Sequence, residues 1–298
     1  MTVARWQRAG MALQVLLVAL ALAWCARQGW GTLAVGVALV PLWLRLPLAL
    51  QFAAAWRAVR GPAPRPGARQ WLRAWWAEGT WAGRVFGWWQ PWRADALADG
   101  LRAARPGRGV VLVHGWGCNR GFWTPWLRRL RHEGRVCVAV SLEPPLGSID
   151  AYAPAIDAAV RAVMEATGMP PLIVAHSMGG LAVRAWLHAV PDADAHVQRI
   201  VTLATPHQGT AAARWAFSVN TRQMRPDSRW LRTLAASEPP VRRARFDCWQ
   251  SDCDNVVYPL GAALLPGAQA HTLAGLGHVE LAFDPRVVQA CWALLDGD

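Results

Sequence analysis

The stretch Pro170–Ala189, PPLIVAHSMGGLAVRAWLHA, decides the fold. Two prolines precede the apolar run Leu172–Ala175, which predicts a short buried strand, and from Met178 onward apolar residues recur at helical spacing. Between strand and helix stands Ser177, with a small residue two positions to either side. This pattern is typical of a nucleophile elbow, a tight turn that lifts the serine hydroxyl clear of the backbone. Ser177 is therefore the candidate nucleophile, although Ala175 occupies a position where the usual pattern G-x-S-x-G has glycine.

Strands and helices alternate on both sides of this elbow. The apolar patterns predict strands and helices at Gly109–Val113, Phe122–Arg131 (helix), Arg135–Val140, Ile149–Thr167 (helix), Gln198–Ala204, Val241–Trp249 and Ala270–Ala274. Strands that alternate with helices form a parallel sheet connected by crossover helices. This is the kind of sheet that an elbow serine requires.

The first of these strands ends in a glycine-rich loop, His114-Gly115-Trp116-Gly117. A loop at this point supplies one backbone N–H to an oxyanion, and the residue after the nucleophile supplies the other. We therefore expect the backbone N–H groups of Trp116 and Met178 to be the two donors. His114 is expected to shape the turn rather than to take part in the chemistry.

Two late loops offer the remaining members of a catalytic triad. Asp254 follows the strand predicted at Val241–Trp249, and its context, Asp-Asn-Val-Val-Tyr-Pro, favours it over Asp252. His278 stands on a glycine-flanked loop after the last predicted strand, whereas the alternative, His271, lies inside that strand. The candidates occur in the order Ser, Asp, His, which enzymes with an elbow serine on such a sheet use.

Five motifs carry a family resemblance: VLVHGWG, VAHSMGG, LATPHQGT, SDCDNVVYP and GLGHVEL. In this order, from about Val110 to the C-terminus, they resemble those of bacterial α/β-hydrolases of the triacylglycerol lipase and esterase type. The resemblance implies an α/β-hydrolase fold over residues 109–298, a mostly parallel sheet with flanking helices. It also implies hydrolysis of lipid or small acyl esters through an acyl-enzyme, with Ser177, His278 and Asp254 as the triad and without a metal or cofactor.

Other functions are compatible with these motifs. A thioesterase, an amidase or a perhydrolase uses the same triad, and a domain retained only for binding would keep the fold, because fold alone does not decide chemistry. An intact triad with both oxyanion positions favours an enzyme. The helical stretch Ala211–Ser237 either covers the active-site mouth, as a lid or an acyl-chain groove, or is an ordinary packed helix pair.

Two apolar runs near the start of the chain predict a membrane anchor over residues 1–60. They are Met11–Ala26 and Trp30–Ala55, and the second approaches the ~20 apolar residues of a transmembrane helix only by including Arg45 and Pro47. A hairpin of two transmembrane helices is the preferred interpretation. A single span followed by an interfacial helix is the alternative, and the second apolar run argues against a cleaved signal peptide.

The positive charge lies in the first third of the chain. Residues 1–109 contain 14 Arg and 3 acidic residues, a balance of +11, whereas residues 110–298 contain 17 Arg and 16 acidic residues, a balance of +1. Arginines flank the pair of apolar runs, and only Arg27 falls between them. By the positive-inside rule both flanks, and with them the catalytic domain, face the cytoplasm, which predicts a protein of the inner (cytoplasmic) membrane.

Residues 61–108 form a linker rich in Trp and Arg. It begins with GPAPRPG at residues 61–67, a stiff stretch, and contains seven Trp between Arg69 and Arg93. Indole and guanidinium groups both suit the membrane–water interface, so one interpretation places this linker there. The alternative is that its Trp side chains pack against the catalytic domain as a cover. Directly beside apolar spans, binding of nucleic acid is not expected.

The six cysteines follow no zinc-binding spacing, and a cytoplasmic domain would keep them reduced. Cys248 and Cys253 are close enough in sequence to pair in an oxidising compartment. Cys118, beside the oxyanion loop, lacks an elbow and is a weak candidate for a nucleophile.

Overall fold

The centre of the computed structural model is a sheet of six parallel strands, and the structure describes residues 2–59, 65–102 and 106–297. The strand order is β2-β1-β3-β4-β5-β6. The strands are β1 (Val110–Val113), β2 (Cys137–Val140), β3 (Leu172–His176), β4 (Arg199–Leu203), β5 (Phe246–Ser251) and β6 (Gln269–Leu273). Every residue of β1, β2 and β3 is buried, which explains their continuous apolar sequences: a parallel sheet is covered on both faces.

Among the described residues, four α-helices precede the sheet in sequence. They are α1 (Val3–Gln28), α2 (Trp30–Ala58), α3 (Ala68–Arg84) and α4 (Gln90–Arg93), with a π-helical turn at Val85–Trp89 joining the last two. Gly29, at φ 119°, separates α1 from α2, and the two helices pack against each other as a hairpin. Both are long and apolar enough to span a membrane, and their most apolar windows are not buried in the protein.

The remaining helices follow the strands. They are α5 (Thr124–His132), α6 (Ala153–Thr167), α7 (Met178–Ala189), α8 (Val219–Gln223), α9 (Arg229–Ala236), α10 (Pro240–Arg243) and α11 (Pro285–Asp296). Successive strand residues point to opposite faces of the sheet. Val111 and Ile173 therefore pack in one core with residues of α6 and α7, whereas Val110 and Leu172 pack in a second core with residues of α5 and α11.

The strand prediction at Val241–Trp249 is wrong in its first half. Residues Pro240–Arg243 form the short helix α10, and the strand begins only at Phe246. Proline at the first helical position has its φ angle preset for a helix and needs no N–H partner there. The other predicted strands are confirmed to within two residues.

The stretch Ala211–Ser237 is helical but broken into pieces. A 3₁₀ turn at Ala211–Trp215 precedes α8 and α9, and each of these two helices is preceded by serine, Ser218 or Ser228. Trp215 and Phe217, near the start of this stretch, are 81% and 77% exposed, whereas Ala213 is buried.

The described part of the linker packs against the domain that contains the sheet. Trp81 stacks on Phe283 with ring centroids 4.6 Å apart, and Val85 is fully buried in a core of the sheet. Trp76, Trp88 and Trp92 are more than half exposed. Some indoles of the segment therefore contact the domain that contains the sheet, and others are exposed. That the exposed ones lie at a membrane–water interface stays a prediction. Residues 61–64 of the predicted stiff stretch lie outside the described residues.

Candidate active site

Ser177 stands at the end of β3 and directly before α7. Its backbone has φ 56° and ψ −131°, a conformation that residues with a side chain rarely adopt. The N–H of Ser177 donates to the carbonyl oxygen of Leu203 at 2.8 Å, which ties the turn to β4. The backbone therefore forms the elbow that the sequence pattern predicts.

Two glycines allow α7 to begin this close to the sheet. A Cβ on Gly179 would lie 2.5 Å from the carbonyl oxygen of His114, and a Cβ on Gly180 would collide with Oγ1 of Thr205. Ala175, by contrast, is fully buried within β3, where its methyl group belongs to the core. The departure from G-x-S-x-G thus falls at a position where this structure has room for a methyl group.

His278 and Asp254 form a buried pair beside the elbow. Nδ1 of His278 donates to the Asp254 carboxylate, at 2.9 Å from Oδ2 and 3.1 Å from Oδ1. Oδ1 also accepts the N–H groups of Val256 and Val257, at 2.7 and 2.8 Å, which fixes the orientation of the carboxylate. With the proton on Nδ1, Nε2 of His278 is free to act as a base.

The surroundings of His278 set its proton affinity. Burial favours the neutral imidazole, but the charge of Asp254 and the hydrogen bond to it outweigh that effect and raise the pKa of His278. Ser177 and His278 line the same cavity. A serine, a histidine and an acid that orients the histidine are the three groups that a catalytic triad requires.

The weaker candidates have other partners. Oδ1 of Asp252 accepts the N–H of Gly275 at 2.6 Å and so supports the loop that leads to His278. His271, on β6, stacks on Trp249 of β5 with ring centroids 4.2 Å apart. The structure thus brings Asp254, rather than Asp252, to His278.

The loop after β1 lies against the serine. A Cβ on Gly115 would lie 2.7 Å from Cβ and 3.2 Å from Oγ of Ser177, so only glycine allows this approach. Trp116, in the same loop, lines the cavity. Met178 is the first residue of α7, and the N–H groups of a first helical turn have no partner within the helix. Both predicted oxyanion donors are therefore next to Ser177 in the fold.

His114 shapes this loop. Its Nδ1 donates to the carbonyl oxygen of Gly115 at 2.9 Å, and its Nε2 accepts the N–H of Leu142 at 3.1 Å. Burial lowers the pKa of His114 to about 4, so the ring is neutral near pH 7. These contacts fit the structural role expected from the sequence.

The cavity above Ser177 has a volume of about 1370 Å³ and is lined mainly by apolar side chains. One wall comes from the catalytic region, including Ala213, Trp215 and Val257. The opposite wall comes from the N-terminal helices, with Leu44, Leu48 and other residues of α2. A helix that is apolar enough to span a membrane therefore forms part of the cavity that contains the serine.

Comparison with known proteins agrees with this architecture. A protein-family profile described as alpha/beta hydrolase fold matches residues 109–225. Among solved structures, the mature form of lipase BlEst2 from Bacillus licheniformis is similar, with a TM-score of 0.57 and 16% identity over 64% of this chain and 94% of that chain. The propeptide form of the same lipase has a TM-score of 0.54 and 15% identity over 64% of this chain and 52% of that chain. The catalytic region has the α/β-hydrolase fold.

A protein named as an esterase is similar to part of this chain, whose residues 109–298 we call the hydrolase domain. Pimeloyl-[acyl-carrier protein] methyl ester esterase from Vibrio vulnificus (strain YJ016) is 29% identical over 148 residues, 46% of this chain and 56% of that protein. The chain thus spans little more than half the length of this relative. The resemblance to α/β-hydrolases that the five motifs predict is confirmed, and the similar proteins include lipases and esterases.

Two residues of the hydrolase domain support His278 in ways that the sequence did not indicate. His176 donates from Nε2 to the carbonyl oxygen of His278 at 3.1 Å, and the two rings lie 4.6 Å apart. Asn255 accepts the N–H of His278 on Oδ1 at 3.1 Å. Each adjoins a predicted catalytic residue in sequence, Ser177 or Asp254, which is the only sequence signal that could have indicated them.

The cysteines of the hydrolase domain are buried and unpaired. Cys118 lines the cavity, but burial raises the pKa of its thiol to about 12, so the thiolate needed for nucleophilic attack is scarce near pH 7. Cys248 and Cys253 are both free thiols.

Within the residues that the structure describes, no cluster of three or more His, Cys, Asp or Glu side chains could hold a metal ion.

Proposed function

We propose that this protein is a membrane-attached serine hydrolase that cleaves carboxylic esters with an apolar acyl chain. The observation that carries the proposal is the buried His278–Asp254 pair, which shares an apolar cavity with an elbow serine, Ser177. The similar lipases and the pimeloyl methyl ester esterase support the reaction class.

The proposed reaction proceeds in two acyl transfers. Nε2 of His278 accepts the Ser177 proton while Oγ attacks the ester carbonyl carbon, and Asp254 holds the ring and stabilises the imidazolium. The N–H groups of Trp116 and Met178 bind the oxyanion of the tetrahedral intermediate. His278 then protonates the leaving alcohol, an acyl-enzyme remains on Ser177, and a water molecule activated by His278 releases the carboxylic acid.

The size and lining of the cavity support the proposal of a lipid-like substrate. Its volume of about 1370 Å³ exceeds the range of roughly 300–1,000 Å³ typical of small-molecule sites, and its walls are largely apolar. Because α2 forms one wall, an acyl chain could pass from a membrane to Ser177 without crossing water. We propose that the stretch Ala211–Ser237, whose Ala213 and Trp215 line the same cavity, covers its mouth as a lid.

We propose that α1 and α2 cross the inner membrane as a hairpin and that the hydrolase domain faces the cytoplasm. Both ends of the hairpin contact the rest of the protein: Gln7 donates to Oε1 of Gln90 at 2.7 Å, and Phe52 packs on Trp71 with centroids 6.0 Å apart. Large apolar side chains between these ends, such as Leu16 and Trp43, are more than half exposed. Such a surface is suited to lipid rather than to water.

The nucleophile is tested by labelling and substitution. We expect an alkyl fluorophosphonate to label Ser177 in the purified chain, and Ser177→Ala to remove both the label and several orders of magnitude of esterase activity. A series of p-nitrophenyl esters and matched thioesters of increasing chain length then defines the substrate class, with preference for long esters expected. Full activity of the Ser177→Ala variant would refute the triad.

The membrane arrangement is tested with fusions after Asp298. A fluorescent reporter placed there should fluoresce in the cytoplasm, and an alkaline phosphatase fusion should be inactive, because the positive flanks keep both ends of the hairpin inside. An active phosphatase would contradict the proposed orientation. Cys248 and Cys253 would then face an oxidising compartment.

A further inference from the structure

Helix α3 contacts the loop that carries His278, and it does so from outside the hydrolase domain. We call residues Gly275–Glu280 the histidine loop. Arg73, on α3, donates from Nη1 to the carbonyl oxygen of Gly275 at 2.7 Å and pairs with Glu280 at 2.7 Å. Both ends of the histidine loop are thus held by α3, which together with α1, α2 and α4 we call the N-terminal segment.

A second contact from α3 is completely enclosed. Glu78 is 2% exposed, and its carboxylate accepts the N–H of Val279 at 2.9 Å and the N–H of Glu280 at 3.0 Å. Any Cβ on Gly277 would collide with this carboxylate, so the histidine loop passes Glu78 as closely as a backbone can. Glu78 also lines the cavity that contains Ser177 and His278.

These contacts are made immediately beside the proposed base. The N–H groups that Glu78 accepts belong to the two residues that follow His278, so a shift of the carboxylate moves the backbone of His278 itself. Within the described residues Glu78 has no ion-pair partner, although an unpaired buried acid is costly. A carboxylate retained at such a cost beside a base is a candidate for function rather than for packing.

Helix α2 reaches the same base by a separate route. Nδ2 of Asn255 donates to Oε1 of Gln51 at 3.0 Å, and Oδ1 of the same Asn255 accepts the N–H of His278. Two helices of the N-terminal segment therefore contact the backbone around His278, one directly and one through Asn255.

We infer that Glu78 is a positioning residue for His278, and that the N-terminal segment thereby completes the active site. The inference rests on the proposed serine hydrolase function. It assigns to α3 a role in catalysis in addition to any role in membrane attachment. Glu78 holds the histidine loop through Val279 and Glu280, and its charge acts on the imidazolium that forms during the reaction.

The charges around Glu78 give this role a pH signature. Burial raises the pKa of Glu78 to about 7, against the lowering effect of the two N–H donors. The charged and titratable groups around it are His278 and Asp254, His176 beside His278, and Glu280, which pairs with Arg73. Arg45, on α2, lines the same cavity as Glu78. An ionised Glu78 stabilises the imidazolium and raises the pKa of His278. Removing that charge therefore lowers the pKa of His278.

The test uses the full-length chain in detergent micelles with a p-nitrophenyl ester. Glu78→Ala should lower kcat about 100-fold with little change in KM, because displacing a catalytic group by about 1 Å costs that much. Glu78→Gln keeps one acceptor oxygen but loses the charge. It should lower kcat less and move the acidic limb of kcat/KM to lower pH, since that limb reports the base of the free enzyme.

The controls separate this inference from the proposed function. Glu165→Gln, on the exposed surface of α6, should leave kcat and the pH limb unchanged. If Glu78→Ala does not fold, Glu78→Gln alone decides the question through its pH limb. Wild-type kcat and an unmoved limb in Glu78→Gln overturn the role of Glu78 while an inactive Ser177→Ala preserves the triad. Full activity of Ser177→Ala overturns the proposed function itself.

Discussion

The sheet and the N-terminal helices contribute to the same cavity by different physical means. The sheet presents Ser177 and Asp254 at or beyond the carboxyl ends of its strands, where parallel strands deliver their loops to one edge. The N-terminal segment presents Glu78 and Leu48 from the sides of helices that pack over that edge. In the first region hydrogen bonds of the sheet and its turns fix each position, and in the second contacts between helices and the loops of the sheet do.

The two regions therefore tolerate amino-acid substitutions to different extents. A residue at the elbow is constrained by nearby backbone: a Cβ on Gly179 would lie 2.5 Å from the carbonyl oxygen of His114. On α3 only the inward face is constrained, so the buried Glu78 and the exposed Trp76 lie within one turn of each other. Substitutions that compare the two regions test this distinction.

The largest effect is expected at the proposed triad acid. Asp254→Asn should lower kcat by roughly 10⁴-fold, because an amide in place of the carboxylate no longer selects the tautomer of His278 with a free Nε2. Asp252→Asn, two residues away, should change kcat only slightly, since Asp252 supports a backbone N–H rather than the imidazole. Steady-state kinetics on both variants measure the ratio, and the opposite ranking would assign the acid to Asp252.

The next effect is a pH dependence of stability that originates in the N-terminal segment. Below pH 4.5 Glu78 is protonated in both folded and unfolded chains. Between pH 4.5 and about 7 the unfolded chain ionises while the folded chain holds the proton, so this group makes stability fall as pH rises. The full difference corresponds to roughly 3 kcal/mol, because each pH unit between the two pKa values is worth ~1.4 kcal/mol.

Glu78→Gln removes this ionisation. The Tm of the variant, measured against that of the wild type, should therefore increase from pH 4.5 to pH 7 and then level off. A difference in Tm that is constant over this range would show that the carboxyl group titrates normally in the folded protein.

A smaller effect is expected from matched glycine substitutions in the two regions. Gly179→Ala places a methyl group 2.5 Å from a backbone oxygen and should lower the free energy of unfolding by about 1–3 kcal/mol. Gly83→Ala, on an exposed part of α3 with open space around it, should raise it by up to about 1 kcal/mol, because alanine favours a helix.

Thermal unfolding of the two glycine variants measures the contrast directly. Equal losses of Tm would mean that α3 is as tightly constrained as the elbow. A gain at Gly83 and a loss at Gly179 would support the distinction between the two regions.

Much of the hydrolase domain could be predicted because its signals are local. The apolar runs of β1 and β3, the small residues around Ser177 and the glycines before His278 are each readable within about ten residues. The first half of Val241–Trp249 was misassigned because Pro240, a strong helix-start signal, stands directly before an apolar residue in a stretch that otherwise fits a strand. Sequence context also favours Asp254 over Asp252 and His278 over His271 as the candidates.

By itself the sequence determined the parallel sheet, the elbow, the order of the candidate triad and the presence of two apolar helices, because each depends on the periodicity or spacing of neighbouring residues. Only the tertiary structure decided that α2 forms a wall of the cavity and that Glu78 holds the histidine loop. Glu78 and Val279 lie 201 residues apart, and nothing local to either residue indicates the other. Such a contact exists only once two parts of the chain that are distant in sequence have packed together. The sequence alone does not distinguish a buried carboxylate from an exposed one.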